Sequence, residues 1–180
     1  MFFYVEDDSV SQKKVPAIPD DATQRNIVQQ MSKYIVEFAP RLPLGPKLMY
    51  PTGPGVCVIF EGDDPIYACA AENVAGKVRS LLRTPTSPLR KALGEELYSG
   101  VLGGFNADSK KVFSKEIESR LNFFMSQSMS VAVQPLGIGR KEVEEFIVRQ
   151  YRPFYNPGVK NGKRPVRNVL TPFQLPSSLL

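Results

Sequence analysis

Five prolines, Pro40, Pro43, Pro46, Pro51 and Pro54, fall between residues 40 and 54. A pyrrolidine ring fixes φ and leaves no N–H to donate, so at this density no helix can form. The stretch predicts a stiff, extended connector. It divides the chain into an N-terminal arm, helix and connector (1–53), a main domain (54–157) and a C-terminal extension (158–180).

Upstream of the prolines, residues 1–19 carry mixed charge and end in Pro16 and Pro19, which reads as an arm. Asp20 or Asp21 caps a helix over about 22–38, in which Ile27, Met31, Ile35 and Phe38 recur at helical spacing as a buried stripe. Downstream, the apolar run Gly55–Phe60, a turn cluster around Gly62 and Pro65, and the run at 66–71 predict a β-hairpin. Val74, Val78, Leu81 and Leu82 mark one face of a helix over 73–82, with Lys77, Arg79 and Arg83 spread over the rest. Ser87 and Pro88 open another helix carrying Leu89, Leu93 and Leu97. Gly100, Gly103 and Gly104 form a loop, and residues 111–125 are again helical in pattern. Residues 129–136 suit a third strand, and a last helix over 141–151 is stopped by Pro153. The fold class is therefore α/β in the α+β sense, a small three-stranded antiparallel sheet flanked by helices. No internal repeat is visible.

A chain of 180 residues, 42% apolar and 23% charged, supports one core. Twenty-three Lys and Arg against 18 Asp and Glu leave a net charge of +5, which favours an anionic partner. Histidine is absent, which excludes His-based triads, Cys/His zinc fingers and any histidine general base. Chemistry falls to Tyr, Lys, Arg, the carboxylates and two cysteines, Cys57 and Cys69. Two are too few for a disulfide framework or a four-ligand metal site, and they point to a reducing compartment. On neighbouring strands of the hairpin they are expected to touch yet stay reduced. Residues 1–8 lack the basic n-region and apolar stretch of a signal peptide, and no apolar run reaches the roughly 18 to 20 residues of a membrane span. The expectation is a cytoplasmic protein with no membrane partner.

One segment carries a family likeness. Glu144 to Asn156 reads EEFIVRQYRPFYN. It resembles the end of a GIY-YIG nuclease domain, as in excision-repair, homing and restriction endonucleases, where a helix bearing a metal-binding Glu is followed by a Pro and an Asn. Gly55-Val56-Cys57 stands where the GIY tripeptide belongs and Tyr67-Ala68-Cys69 where YIG belongs. The order hairpin, helix, strand, carboxylate helix agrees. The resemblance covers about residues 54–157 and implies a divalent cation, Mg²⁺ or Mn²⁺, held by Glu144. A tyrosine activates water in that family, and an Arg on the first helix steadies the phosphate. The sites implied are Tyr67, Lys77, Glu144 and Asn156.

The motif is degenerate at three places. Cys57 replaces the GIY tyrosine, so the expected base is missing. Cys69 replaces the YIG glycine, adding a side chain where backbone normally approaches closely. Lys77 stands ten residues after Tyr67, where the family has Arg, and lacks the planar fork that engages two phosphate oxygens. Each residue also has a structural reading: Glu144 as one of several solvated helix carboxylates, Tyr67 as a packed aromatic, Asn156 as a turn residue and Cys57 as a small buried hydrophobe. Three functions stay open. One is a nucleic-acid-binding protein with an eroded site, DNA being the expected ligand and RNA left open, using Lys77, Arg79, Arg83 and the basic tail residues Lys160, Lys163, Arg164 and Arg167. Another is an active metal-dependent endonuclease. The last is a scaffold that docks a protein partner through the N-terminal helix.

Overall fold

The computed structural model describes residues 21–45, 47–98, 112–159 and 162. The N-terminal arm, the Gly100–Gly104 loop and the basic residues Lys160, Lys163, Arg164 and Arg167 lie outside this set.

Helix α1 runs Asp21–Lys33 and continues as a π turn over Tyr34–Phe38. Strand β1 is Arg41–Pro43, β2 Gly55–Glu61, β3 Asp64–Ala71 and β4 Met129–Pro135. Between them lie α2 (Val74–Leu81), α3 (Pro88–Tyr98) and α4 (Lys115–Ser128), and α5 (Arg140–Tyr151) follows β4. The strands form one antiparallel sheet in the order β1-β4-β2-β3. The hairpin, the third strand and the four helices after it fall close to their predicted positions.

The sheet has four strands, not three. The added strand comes from the proline connector, where Arg41, Leu42 and Pro43 pair with Ala132, Val131 and Ser130. Only three residues long and at the sheet edge, β1 tolerates Pro43 at its end because no further ladder donor is required there. The connector is also knotted onto the core rather than simply extended. The Tyr50 hydroxyl lies 3.2 Å from the Pro43 carbonyl and accepts the Gly45 N–H at 3.0 Å. Leu44 and Tyr50 are buried.

Helices cover both faces of the sheet. Cys57, Ile59, Tyr67, Cys69 and Val131 face α2, α3 and α4. Val56, Val58, Phe60, Ala68 and Ala132 face α5 and the end of the α1 segment. Every residue of β2 from Gly55 to Phe60 is therefore buried, which explains its continuous apolar run. Gly55 itself is required by close approach: a Cβ there would sit 2.5 Å from the Gln134 carbonyl oxygen of β4.

The predicted stripe of the first helix is corrected. Ile27 is 52% exposed and Phe38 66%, while Ser32, Ile35, Val36 and Ala39 are buried. Ser32 is small and lets α1 approach α5, its hydroxyl 2.7 Å from the Val28 carbonyl and 3.4 Å from that of Val143. Ser32, Ile35, Val36 and Ala39 then keep the three-four spacing of one helical face, which leaves Ile27 and Phe38 outside it, and the segment closes in a π turn with the Ala39 N–H donating to Tyr34 O at 2.8 Å.

Cys57 and Cys69 are direct partners across β2 and β3, with Cα atoms 5.4 Å apart, and they form a disulfide. The expectation of touching strand partners holds, and the expectation of a reduced pair does not. Register alone placed both thiols within bonding range.

Candidate functional site

β3 is an outer strand of the sheet, and an outer strand presents a row of backbone groups with no partner strand. Along β3 these groups belong to alternate residues, and the carbonyl of Ile66 and both groups of Ala68 are met from the turn after α5. The Tyr155 N–H donates to Ile66 O at 3.0 Å. The Asn156 side chain clasps Ala68 from both sides, Oδ1 accepting its N–H at 2.8 Å and Nδ2 donating to its carbonyl at 2.8 Å. The Glu144 carboxyl lies near the N–H of Ala70, which favours its charged form. Asn156 is thus a mimic of a neighbouring strand, and it is buried.

The turn holding Asn156 is itself built by the sequence. Arg152 ends α5 in the left-handed region at φ 50°, its N–H bonded back to Val148 O, and Pro153 then prevents the helix from resuming. The Asn156 N–H closes the turn onto Pro153 O at 3.1 Å. The Tyr155 hydroxyl anchors it to α3 by donating to Glu96. Neither Tyr155 nor Glu96 was marked by the sequence, since a main-chain donor and a long-range phenol contact leave no local pattern.

Glu144 lies close enough to Tyr67 and to Lys77 for their charges to be felt between them. Tyr67 lies on the β3 face toward α2, Lys77 on α2, and Glu144 reaches over from α5 on the opposite face. Burial pushes the Tyr67 phenol above its usual value of 10.0, and the nearby Glu144 charge pushes it further. Glu144 is also raised above 4.5, chiefly by burial, against the opposing pull of the Ala70 N–H and the Lys77 ammonium. At neutral pH Tyr67 is therefore an intact phenol. Asn156 sits beside these groups but spends its amide on Ala68. Arg79 and Arg83 are exposed, and Arg79 lies 200° around the helix from Lys77, so it does not stand in for the missing guanidinium.

A hard dication needs about six oxygen ligands. This edge offers one carboxyl raised by burial, a neutral phenol and an ammonium group. Among the described residues no group of three or more Cys, Asp or Glu side chains is placed to hold a metal ion. The donor set fits a resident Mg²⁺ or Mn²⁺ poorly. A groove of about 600 Å³ lies elsewhere, between α1 and α5, lined in part by Arg25, Glu142, Glu145 and Arg149. Tyr67, Lys77, Glu144 and Asn156 do not line it, and Glu145, next to Glu144, faces that groove instead.

No helix among the described residues is long and apolar enough to cross a membrane. The fold and the strand-edge site together define an α+β domain with helices on both faces of an antiparallel sheet. Comparison with protein-family models, with curated proteins and with solved structures finds no match.

Proposed function

We propose that this chain is a nucleic-acid-binding protein, built on a GIY-YIG-like domain, whose phosphodiester hydrolysis is weak or lost. The observation that carries the reading is the state of the strand edge: Tyr67 is buried and neutral, Asn156 is committed to the β3 backbone, and burial holds the Glu144 carboxyl above its usual value. A general base must accept a proton near the operating pH, and a phenol raised above 10.0 is far from that. The net charge of +5 supports an anionic ligand, with DNA the expected one. Lys77, Arg79 and Arg83 supply phosphate contacts from the domain, and Lys160, Lys163, Arg164 and Arg167 from the tail. The cytoplasmic location expected from the sequence belongs to this proposal, and the disulfide weighs against it.

Fluorescence anisotropy with a labelled DNA duplex over a salt series tests it. Log affinity is expected to fall linearly with log salt, by about 0.9 per phosphate neutralised. Replacing the four tail cations by Ala should flatten that slope. Binding indifferent to salt would leave the scaffold reading, which the exposed face of α1 favours. The closeness of Glu144 to Tyr67 and to Lys77 favours the other reading, an endonuclease with Mg²⁺ or Mn²⁺ on Glu144. Metal-dependent cleavage by the unmodified chain, abolished by Glu144→Ala, would establish that reading and overturn this one.

A further inference from the structure

We infer that the outer face of α1 and its π turn is a self-association surface that pairs with the same face of a second copy. Of the six large exposed apolar side chains among the described residues, three lie on this segment: Ile27, Tyr34 and Phe38. With Met31, which is partly buried against the core, they recur at four, three and four residues and so share one side of the segment. The eleven steps from Ile27 to Phe38 give a stripe on the order of 16 Å long. Clustered exposed apolar groups of this kind mark an interaction surface, whereas scattered ones do not.

Charge selects the occupant. The chain carries +5 overall, so two copies repel across most of their surface. The segment from Asp21 to Phe38 is different, because Asp21 and Glu37 balance Arg25 and Lys33. Lys33 and Glu37 already form an ion pair at 3.9 Å along the helix. A nucleic acid gains nothing from a neutral apolar face, and an identical face meets it without like-charge repulsion. An antiparallel arrangement about a twofold axis between Met31 and Tyr34 sets Ile27 of each copy against Phe38 of the other, so the stripe is self-complementary as an isologous contact demands. Four side chains per copy make a small contact, and association is correspondingly weak.

Sedimentation equilibrium of the full chain from about 1 to 500 μM tests this. The weight-average mass should climb from 20.1 kDa toward twice that value, and 0.5 M salt should leave the rise intact. Tyr34→Glu with Phe38→Glu should weaken association at least tenfold while circular dichroism and thermal unfolding stay unchanged, since both residues are exposed. A monomer at every concentration overturns the inference. So does a dimer that survives the double substitution, or one that salt dissolves. If the chain associates only once Phe2→Ser and Phe3→Ser are introduced, the N-terminal arm covers this face in the native chain, and the inference is likewise overturned.

Discussion

Asn156 and Ala68 lie 88 residues apart in sequence and are joined by two 2.8 Å hydrogen bonds, amide side chain to main chain. The amide does for β3 what a fifth strand would do. Asn156→Ala should therefore destabilise the domain by about 2 to 4 kcal/mol, because a buried donor and acceptor each lose a partner at about 1 to 3 kcal/mol. Asn156→Asp should fail to rescue it, since a carboxylate oxygen would then face the Ala68 carbonyl. Urea unfolding measures both. A variant that loses DNA binding at unchanged stability would show that Asn156 acts on the ligand instead.

The pH dependence of Glu144 has a defined sign. A carboxyl raised in the folded state binds its proton more tightly there, so its contribution to stability is complete below 4.5 and is lost as pH rises through the folded value. Glu144→Gln keeps an acceptor near the Ala70 N–H without a charge to desolvate. The variant should be at least as stable as the parent at pH 7, with the advantage shrinking below pH 4.5. Denaturant midpoints across pH 3.5 to 8 decide this, and a Gln variant much weaker at pH 7 would contradict it.

Tyr67 should titrate late. Absorbance of tyrosinate is expected to show a component ionising above 10.0 that Tyr67→Phe diminishes, Tyr98 and Tyr151 being raised as well. A Tyr67 that ionises near neutrality would restore it as a candidate base.

Arg90 is a buried cation that nothing in the sequence pattern singles out. Its guanidinium donates to Thr84 Oγ1 at 2.9 Å, to Glu118 Oε2 at 2.7 Å and to the Glu118 carbonyl at 3.0 Å, riveting α3 to α4. Burial acts to raise Glu118, but bonds from Thr84, Arg90 and the Phe113 N–H outweigh it and hold the carboxyl below 4.5. Its stabilisation is accordingly present above 4.5 and lost as pH falls through the folded value. Arg90→Ala should cost about 3 to 5 kcal/mol, and Arg90→Lys should recover little because an ammonium lacks the fork. A loss below about 1 kcal/mol in urea would refute the riveting role.

The cystine gives a redox test. Cys57 and Cys69 are separated by 12 residues, and closing a loop near that size contributes about 3 kcal/mol through the unfolded state. Unfolding in the presence of a reductant should shift to lower denaturant by that amount, and thiol labelling of the unreduced, denatured chain should find no free cysteine. Full labelling would show the pair to be reduced.

Local pattern alone located β2, β3, β4 and the helices from α2 to α5, because apolar runs, helical stripes and a start signal such as Ser87-Pro88 act within a few neighbours, and the structure adds caps at Asn73 and Ser114. Tyr67, Lys77, Glu144 and Asn156 were singled out by the family resemblance of the Glu144–Asn156 segment, which periodicity does not mark. What escaped was non-local. Leu42 and Pro43 became a strand because β4 offered an unpaired edge, not because prolines favour one. Ile27 and Phe38 turned outward because the close approach at Ser32 fixed which face of α1 meets α5. The contact of Cys57 with Cys69 was legible from the hairpin and only their bond was not, whereas Asn156 met Ala68 because α5 ends beside β3. Sequence fixes the periods of the elements; which edge or face each period is spent on depends on contacts between distant residues, whose energies arise only once the layers are packed.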